Sequence, residues 1–139
     1  MSPSDADISW LKAELCKTFD LTDNGIATRF LGIDIIRRDN KVYLSQEAYI
    51  DKILRKFGFE DAHAVSTAFY DKEVIKPRED TASKDEVTQY RKRVGSLIWL
   101  LVMTRVDISF PVRKLARYCH NPSYKHSSAV KRVYRYLKG

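Results

Sequence analysis

The sequence predicts an α+β fold, in which an N-terminal helix and a β-hairpin are followed by a helical bundle. Three observations carry that expectation. Apolar residues recur at helical spacing near the start of the chain, at Ile8, Leu11, Leu15 and Phe19. Two runs rich in β-branched and aromatic residues, Thr28 to Arg38 and Lys41 to Leu44, are separated by Asp39-Asn40, which has two-residue turn chemistry. Beyond residue 87 three apolar-periodic stretches follow one another with short connections, which implies antiparallel packing.

The elements follow in order. The first helix runs from Ile8 to Phe19, with Asp5 or Asp7 available as a cap, and Leu-Thr-Asp-Asn-Gly at 21 to 25 ends it. In the hairpin, residues 28 to 44, Leu31, Ile33 and Ile35 alternate with Gly32, Asp34 and Ile36. A glycine inside a strand weakens it, so Gly32 marks either a close approach to the backbone or a bulge. Asp34 reads as a solvent-facing strand residue and Asp39 as a turn former. Ser45 is placed to cap the next helix, whose Ala48, Tyr49, Ile53, Leu54 and Phe57 form the apolar stripe and which Gly58 stops. Lys52, Arg55 and Lys56 lie outside that stripe. From residue 59 to 87 no period survives, and a long surface loop or linker, partly disordered, is expected.

Three helices complete the chain. One spans Thr88 to Met103 with Tyr90, Val94, Leu97, Ile98 and Leu101 inward. One spans Ile108 to Cys119, capped by Asp107 and with Pro111 in its first turn. The last, Ser123 to Lys138, follows His120-Asn121-Pro122 and buries Ala129, Val130, Val133 and Leu137. The organisation is thus 1–58, a 59–87 connection, and 88–139.

Charge divides the chain more sharply than hydropathy does. The net charge is +7, yet residues 1–70 carry 9 Lys+Arg against 11 Asp+Glu and residues 71–89 carry 4 against 6, whereas residues 90–139 carry 12 against the single acid Asp107. A basic module joined to a mildly acidic one points to a polyanionic partner, with nucleic acid the default. In the last helix Lys131, Arg135 and Lys138 recur at i, i+4 and i+7 with Arg132 beside them. Arg113, Lys114 and Arg117 repeat the arrangement, and Arg91, Lys92 and Arg93 open the first of the three helices. A solvated basic face without a ligand has the same pattern.

Other classes find little support. The longest apolar run, Leu97 to Met103, is far short of the ~18 residues a membrane span needs, and the N-terminus lacks the pattern of a signal peptide. A soluble, intracellular protein with no membrane partner is expected, in a cytoplasmic particle or the nucleus. Cys16 and Cys119 share no motif spacing. Cys119, His120 and His126 match no structural zinc pattern, and no Gly-rich phosphate loop, nucleophile elbow or HExxH occurs. Tyr124, Tyr134 and Tyr136 lie among basic residues, as a base-stacking surface would have them, but packing with a wet hydroxyl is the ordinary reason for such spacing.

Four segments resemble, in this order, the part of copia-type LTR retrotransposon reverse transcriptases that follows the catalytic palm motif. They are FLGIDI (Phe30 to Ile35), LSQEAYIDKILRKFGF (Leu44 to Phe59), YRKRVGSLIWL (Tyr90 to Leu100), and TRVDISFPV (Thr104 to Val112) continuing to KRVYRYLKG (Lys131 to Gly139). The likeness extends from about Leu11 to Gly139, and the order and spacing of the segments make it specific.

The resemblance implies a palm-edge helix, a primer-grip-like hairpin and a first thumb helix in residues 1–58, and a basic thumb and connection lobe in 88–139. Phe30, Leu31 and Gly32 would lie near the primer backbone, with Gly32 letting a sugar-phosphate chain come close. Lys52, Arg55, Lys56, Arg91, Arg113, Lys114, Arg117, Lys131, Arg132, Arg135 and Lys138 would contact phosphates of an RNA/DNA template-primer duplex, by shape rather than by sequence. The family's palm holds two Mg²⁺ ions through an adjacent Asp pair and a further aspartate. This sequence contains no adjacent Asp pair, and the ribonuclease H carboxylates are expected after Gly139. No catalytic residue and no cofactor is therefore assigned to the chain, which is expected to be inactive alone and to act beside the palm, fingers and ribonuclease H parts of a polyprotein. Val106 and Ala68 stand where the family usually has proline, and Ser127 where it has tryptophan. Such drift sustains a second expectation, a degenerate or domesticated relic that acts as a protein-interaction module, as a homo-oligomer or with an acidic partner.

Overall fold

The computed structural model describes residues 4–70 and 75–139. Its elements are α1 (Asp5–Thr18), β1 (Arg29–Phe30), β2 (Ile33–Arg38), β3 (Lys41–Ser45), α2 (Glu47–Phe57), α3 (Lys84–Met103), a 3₁₀ turn at Val106–Ile108, α4 (Ser109–Ala116) and α5 (Tyr124–Lys138). The α+β class holds, with a helix and a small antiparallel sheet preceding the helical lobe.

Helix α1 starts earlier than its apolar period suggests because Ser4, not Asp5 or Asp7, is the cap. The Ser4 hydroxyl accepts the Asp7 N–H at 3.2 Å, and the Asp7 carboxylate accepts the Ser4 N–H at 3.1 Å. That carboxylate is held below its ordinary range by the Ser4 side chain and then the Ser4 backbone. No residue of α1 is buried. Ile8, Leu11, Leu15 and Phe19, the residues that recur at helical spacing, are exposed, and Trp10 with them at 67%.

The Thr28–Arg38 run is not a single strand. It folds at Leu31-Gly32, both with positive φ (50° and 77°), so that Phe30 pairs with Ile33 and Arg29 with Asp34. Asp39 and Asn40, also at positive φ, form the expected turn between β2 and β3, with Arg38 opposite Lys41. Both connections are two-residue loops of the kind whose twist suits antiparallel strands. Gly32 is not a bulge: it is the second residue of a turn, and no described atom of the chain lies within 4 Å of where its Cβ would stand. Among residues 4–45 only Ile33 is buried.

Helix α2 is capped at Gln46 without a side-chain hydrogen bond. Ser45, expected as the cap, sits one residue earlier and accepts the Glu47 N–H at 3.3 Å. Gly58 ends the helix in the left-handed conformation, as expected. Ile53 and Leu54 enter the core with Tyr49, Ile50 and Phe57 beside them, so α2 packs with the helical lobe although it follows the sheet in sequence. Each of those two fully buried aliphatic side chains contributes about 1.5–3 kcal/mol.

Helix α3 begins at Lys84, four residues before the periodic stretch, through a capping box between Ser83 and Glu86. Leu100 takes the buried place expected for Ile98, which is 39% exposed. Helix α4 is shorter than expected and preceded by the 3₁₀ turn; Asp107 caps nothing and instead accepts from Arg105 and from the Tyr136 hydroxyl. Helix α5 buries Ala129, Val130, Val133 and Leu137 as expected, together with His126 and Tyr134. The Tyr90 and Tyr134 hydroxyls donate to the Leu115 and Arg93 carbonyls at 2.9 Å, which ties α4 and α5 to α3, and burial pushes both phenols up.

Residues 71–74 of the 59–87 segment lie outside the described residues. The described remainder lies on the lobe as a surface loop with buried anchors and does not stand off as a free linker. Phe59, Ile75 and Ala82 are buried. The Asn121 side chain accepts the Ala82 N–H at 2.8 Å and donates to the Asp80 carbonyl at 2.8 Å. Half-buried Arg78 grips Asp80 with two hydrogen bonds and donates to the Pro122 carbonyl at 3.0 Å.

Candidate nucleic-acid interface

The expected contact residues fall into five places. The first is the β1–β2 turn, whose apex Phe30-Leu31 is 63% and 60% exposed. Below it Arg29 and Asp34 pair across the register at 2.6 Å, so Asp34 is an ion-pair partner and not simply solvated. The second is α2, where Lys52, Arg55 and Lys56 are all exposed, on the side away from Ile53 and Leu54. Two α-helical turns put these cations on one outward strip because the inward strip is taken by core residues.

Arg91 on α3 is exposed but directed, its Nε donating to the Cys119 carbonyl at 2.9 Å. This contact helps hold the end of the α4 segment. Burial pushes the Cys119 thiol up, with the Arg91 charge opposing, so the thiol is the dominant form at neutral pH.

On α4 the inward residues are Pro111, Val112 and Leu115. The outward ones, Phe110, Arg113, Lys114 and Arg117, follow at i, i+3, i+4 and i+7 and line a shallow groove with Val106 and Ser109. Arg113 and Arg117 are exposed. The Lys114 ammonium sits 4.8 Å from the Phe69 ring centroid and 5.7 Å from that of Phe110.

Helix α5 departs from the expected stripe. Lys131 and Lys138 are exposed, but Arg135 Nε donates to the His63 carbonyl at 2.8 Å, and the Arg132 guanidinium donates to Thr67 Oγ1 at 2.7 Å while lying 3.6 Å from the Tyr70 ring centroid. These two arginines hold the 59–70 loop down. Lys138 lies away from them, in a cleft shared with the start of α2 and Arg105. The cations therefore do not form one continuous surface stripe along α5.

The only acid of residues 90–139, Asp107, is neutralised in place. The Arg105 side chain holds its carboxyl below the usual range, with Tyr136 assisting. Arg105 Nη2 approaches it to 2.9 Å. The charge facing solvent from α4 and α5 is thus almost purely positive.

Sequence reasoning passed over three contributors. Arg37, Arg38 and Lys41 gather around the β2–β3 turn. Phe110 stands on the basic face of α4, a position its spacing from Arg113 and Arg117 already encodes. Arg105 joins the Lys138 cleft, which only the tertiary fold reveals. Among the described residues no group of three His, Cys, Asp or Glu side chains could hold a metal ion. No described helix is long and apolar enough to cross a membrane.

Residues 2–71 match the family described as reverse transcriptase (RNA-dependent DNA polymerase). A retrovirus-related Pol polyprotein from transposon TNT 1-94 of Nicotiana tabacum is 36% identical over 139 residues, covering 95% of this chain and 10% of the polyprotein. An uncharacterized mitochondrial protein of Arabidopsis thaliana is 33% identical over 132 residues, covering 95% of this chain and 54% of that protein. A transposon Ty5-1 protein of Saccharomyces cerevisiae is 31% identical, covering 98% of this chain and 44% of its own length. The chain thus spans from a tenth to about half of these relatives. No solved structure matches it.

Proposed function

The chain belongs to the reverse transcriptase family found in retrotransposon Pol polyproteins, and from that premise we propose that it is a non-catalytic part of such a polymerase that grips the template-primer duplex. One observation carries the reading. The helical lobe turns Arg113, Arg117, Lys131 and Lys138 to solvent while Asp107, the one acid of residues 90–139, is tied to Arg105. A surface that is cationic without internal compensation suits a regular array of phosphates, and contacts of that kind read shape rather than sequence.

In this reading α2 acts as a thumb helix, with Lys52, Arg55 and Lys56 on phosphates, and the Phe30-Leu31-Gly32 apex reaches toward the primer end. The palm, fingers and ribonuclease H parts of a polyprotein are the protein partners, and the parent polymerase takes its Mg²⁺ on carboxylates outside this chain. The setting is intracellular, in a cytoplasmic particle or the nucleus.

The test is fluorescence anisotropy of a labelled RNA/DNA heteroduplex at about 50 and about 200 mM salt, where several phosphate contacts weaken binding by orders of magnitude. The triple variant Arg113→Ala, Arg117→Ala, Lys131→Ala should bind more weakly and with a shallower salt slope. Absence of binding at low salt would overturn the reading.

A second reading is favoured by α1, whose Trp10, Leu11 and Leu15 are exposed with no residue of the helix buried. In it the chain is a relic kept as a protein-interaction module, and that apolar face is its working surface. Association insensitive to phosphate competitors would support this alternative.

A further inference from the structure

We infer that the outward face of α4 is a subsite for an unpaired nucleic-acid strand, with Phe110 as the stacking platform and Arg113 and Arg117 as the phosphate contacts. The inference rests on the nucleic-acid reading above and assigns this face a different form of the ligand.

A duplex keeps its bases stacked inside and offers a protein mainly its phosphates and groove edges, so a purely basic helix face would serve it. Helix α4 is not purely basic. Phe110 is 60% exposed at the head of the cationic stripe, and Val106, one turn earlier, is 76% exposed. An exposed aromatic ring on such a face gains nothing from a closed duplex, whereas a strand with free bases uses the ring and the cations together.

The ring is also held in place. Phe69 meets Phe110 edge-on, with centroids 5.9 Å apart and planes at 77°, and the Lys114 ammonium lies near both rings. These contacts restrain Phe110 while leaving much of its surface open. In the next residue of the same loop, Tyr70 receives the Arg132 guanidinium and is itself 56% exposed. Consecutive loop aromatics thus take one cation from each of two helices, an interleaving of rings and positive charge suited to bases and phosphates in alternation.

Spacing fits as well. Arg113 and Arg117 are one helical turn apart, a rise of about 6 Å, and Phe110 lies one turn before Arg113 on the same face. Asp107, the carboxylate among the described residues lining this groove, is occupied by Arg105 and Tyr136.

The experiment compares two labelled probes, a blunt RNA/DNA heteroduplex and the same duplex carrying an unpaired overhang of about eight nucleotides, within the ~4–16 nucleotide range of single-strand sites. With the full chain, the overhang should tighten binding by about tenfold. Phe110→Ala should erase that gain, and Phe110→Trp should restore it. Thermal melting of each variant checks the fold, which an exposed ring supports little.

No gain from the overhang, or a gain that survives Phe110→Ala, overturns the subsite while leaving duplex binding intact. Failure of both probes to bind overturns the nucleic-acid reading along with it. If Phe110→Ala instead abolishes concentration-dependent self-association in sedimentation and spares overhang binding, the face is a protein interface and the inference falls.

Discussion

The Phe59 ring lies almost flat on the Tyr134 ring, with centroids 5.0 Å apart and planes 12° from parallel, while Phe57 meets the same tyrosine edge-on at 5.4 Å. A residue just past α2 is therefore stacked in the middle of α5. Replacing Phe59 with Ala removes a buried ring and opens a cavity against Tyr134, at a cost of about 3–5 kcal/mol. Urea denaturation followed by tryptophan fluorescence should show the midpoint falling without a change of slope.

Asn121 is expected to matter beyond its size. Its side chain accepts the Ala82 N–H and donates to the Arg78 and Asp80 carbonyls, at 2.8, 3.4 and 2.8 Å. Asn121→Ala strands these backbone groups and should destabilise the lobe by about 1–3 kcal/mol. Limited proteolysis should then cut first within residues 75–83.

His126 makes stability pH-dependent. It is fully buried, Tyr118 stacks on it at 3.9 Å, and its Nδ1 accepts the Ser123 N–H at 2.8 Å as part of the α5 cap. Burial pushes the imidazole below its ordinary value of 6.5, with the Lys76 backbone partly opposing. A group with a depressed folded pKa binds more protons when unfolded, so its contribution is fully present above the unfolded value and is lost as pH falls from there toward the folded one. Melting temperatures should decline below pH 6.5. In His126→Gln, which keeps a capping-box acceptor and cannot titrate, that part of the decline should vanish.

Leu31 is a leucine where the turn asks for something else. Its φ of +50° belongs to the region that costs an L-residue with a Cβ about 1–2 kcal/mol. Leu31→Asn creates the Asn-Gly pair such turns favour. It should stabilise the hairpin by about 1 kcal/mol. Slower amide exchange across β2 and β3 is the observable, and weaker heteroduplex binding by the same variant would support the apex contact proposed above.

Much of the fold was legible because apolar period and turn chemistry agree. Ala129, Val130, Val133 and Leu137 follow one stripe, and Asp39-Asn40 is a turn by composition. The start of α3 was legible too, in Ser83-Lys-Asp-Glu86, but a capping box lies outside the apolar period that drew the boundary. The Leu31-Gly32 turn was hidden because leucine carries no turn signal, and Leu100 displaced Ile98 because the directions of α4 and α5 decide which flank of α3 is covered. The loop before α3 has no period because its anchors are single residues met by side chains some forty or more positions away. At the candidate interface the cations were readable, whereas the commitment of Arg132 and Arg135 to the loop was not.

The entry of Ile53, Leu54 and Phe59 into a core otherwise built by α3 to α5 has a consequence for how such a segment can be inherited. A joint near residue 70 would fall between α2 and the helices it leans on. A recombination event that joined two relatives at that point would bring together half-cores shaped by different histories. Each side would carry bulky residues selected against a partner it no longer meets. Joints tolerated by evolution should instead fall near Ser45, where the weakly packed sheet gives way to α2, so that residues 46–139 pass between lineages as one block.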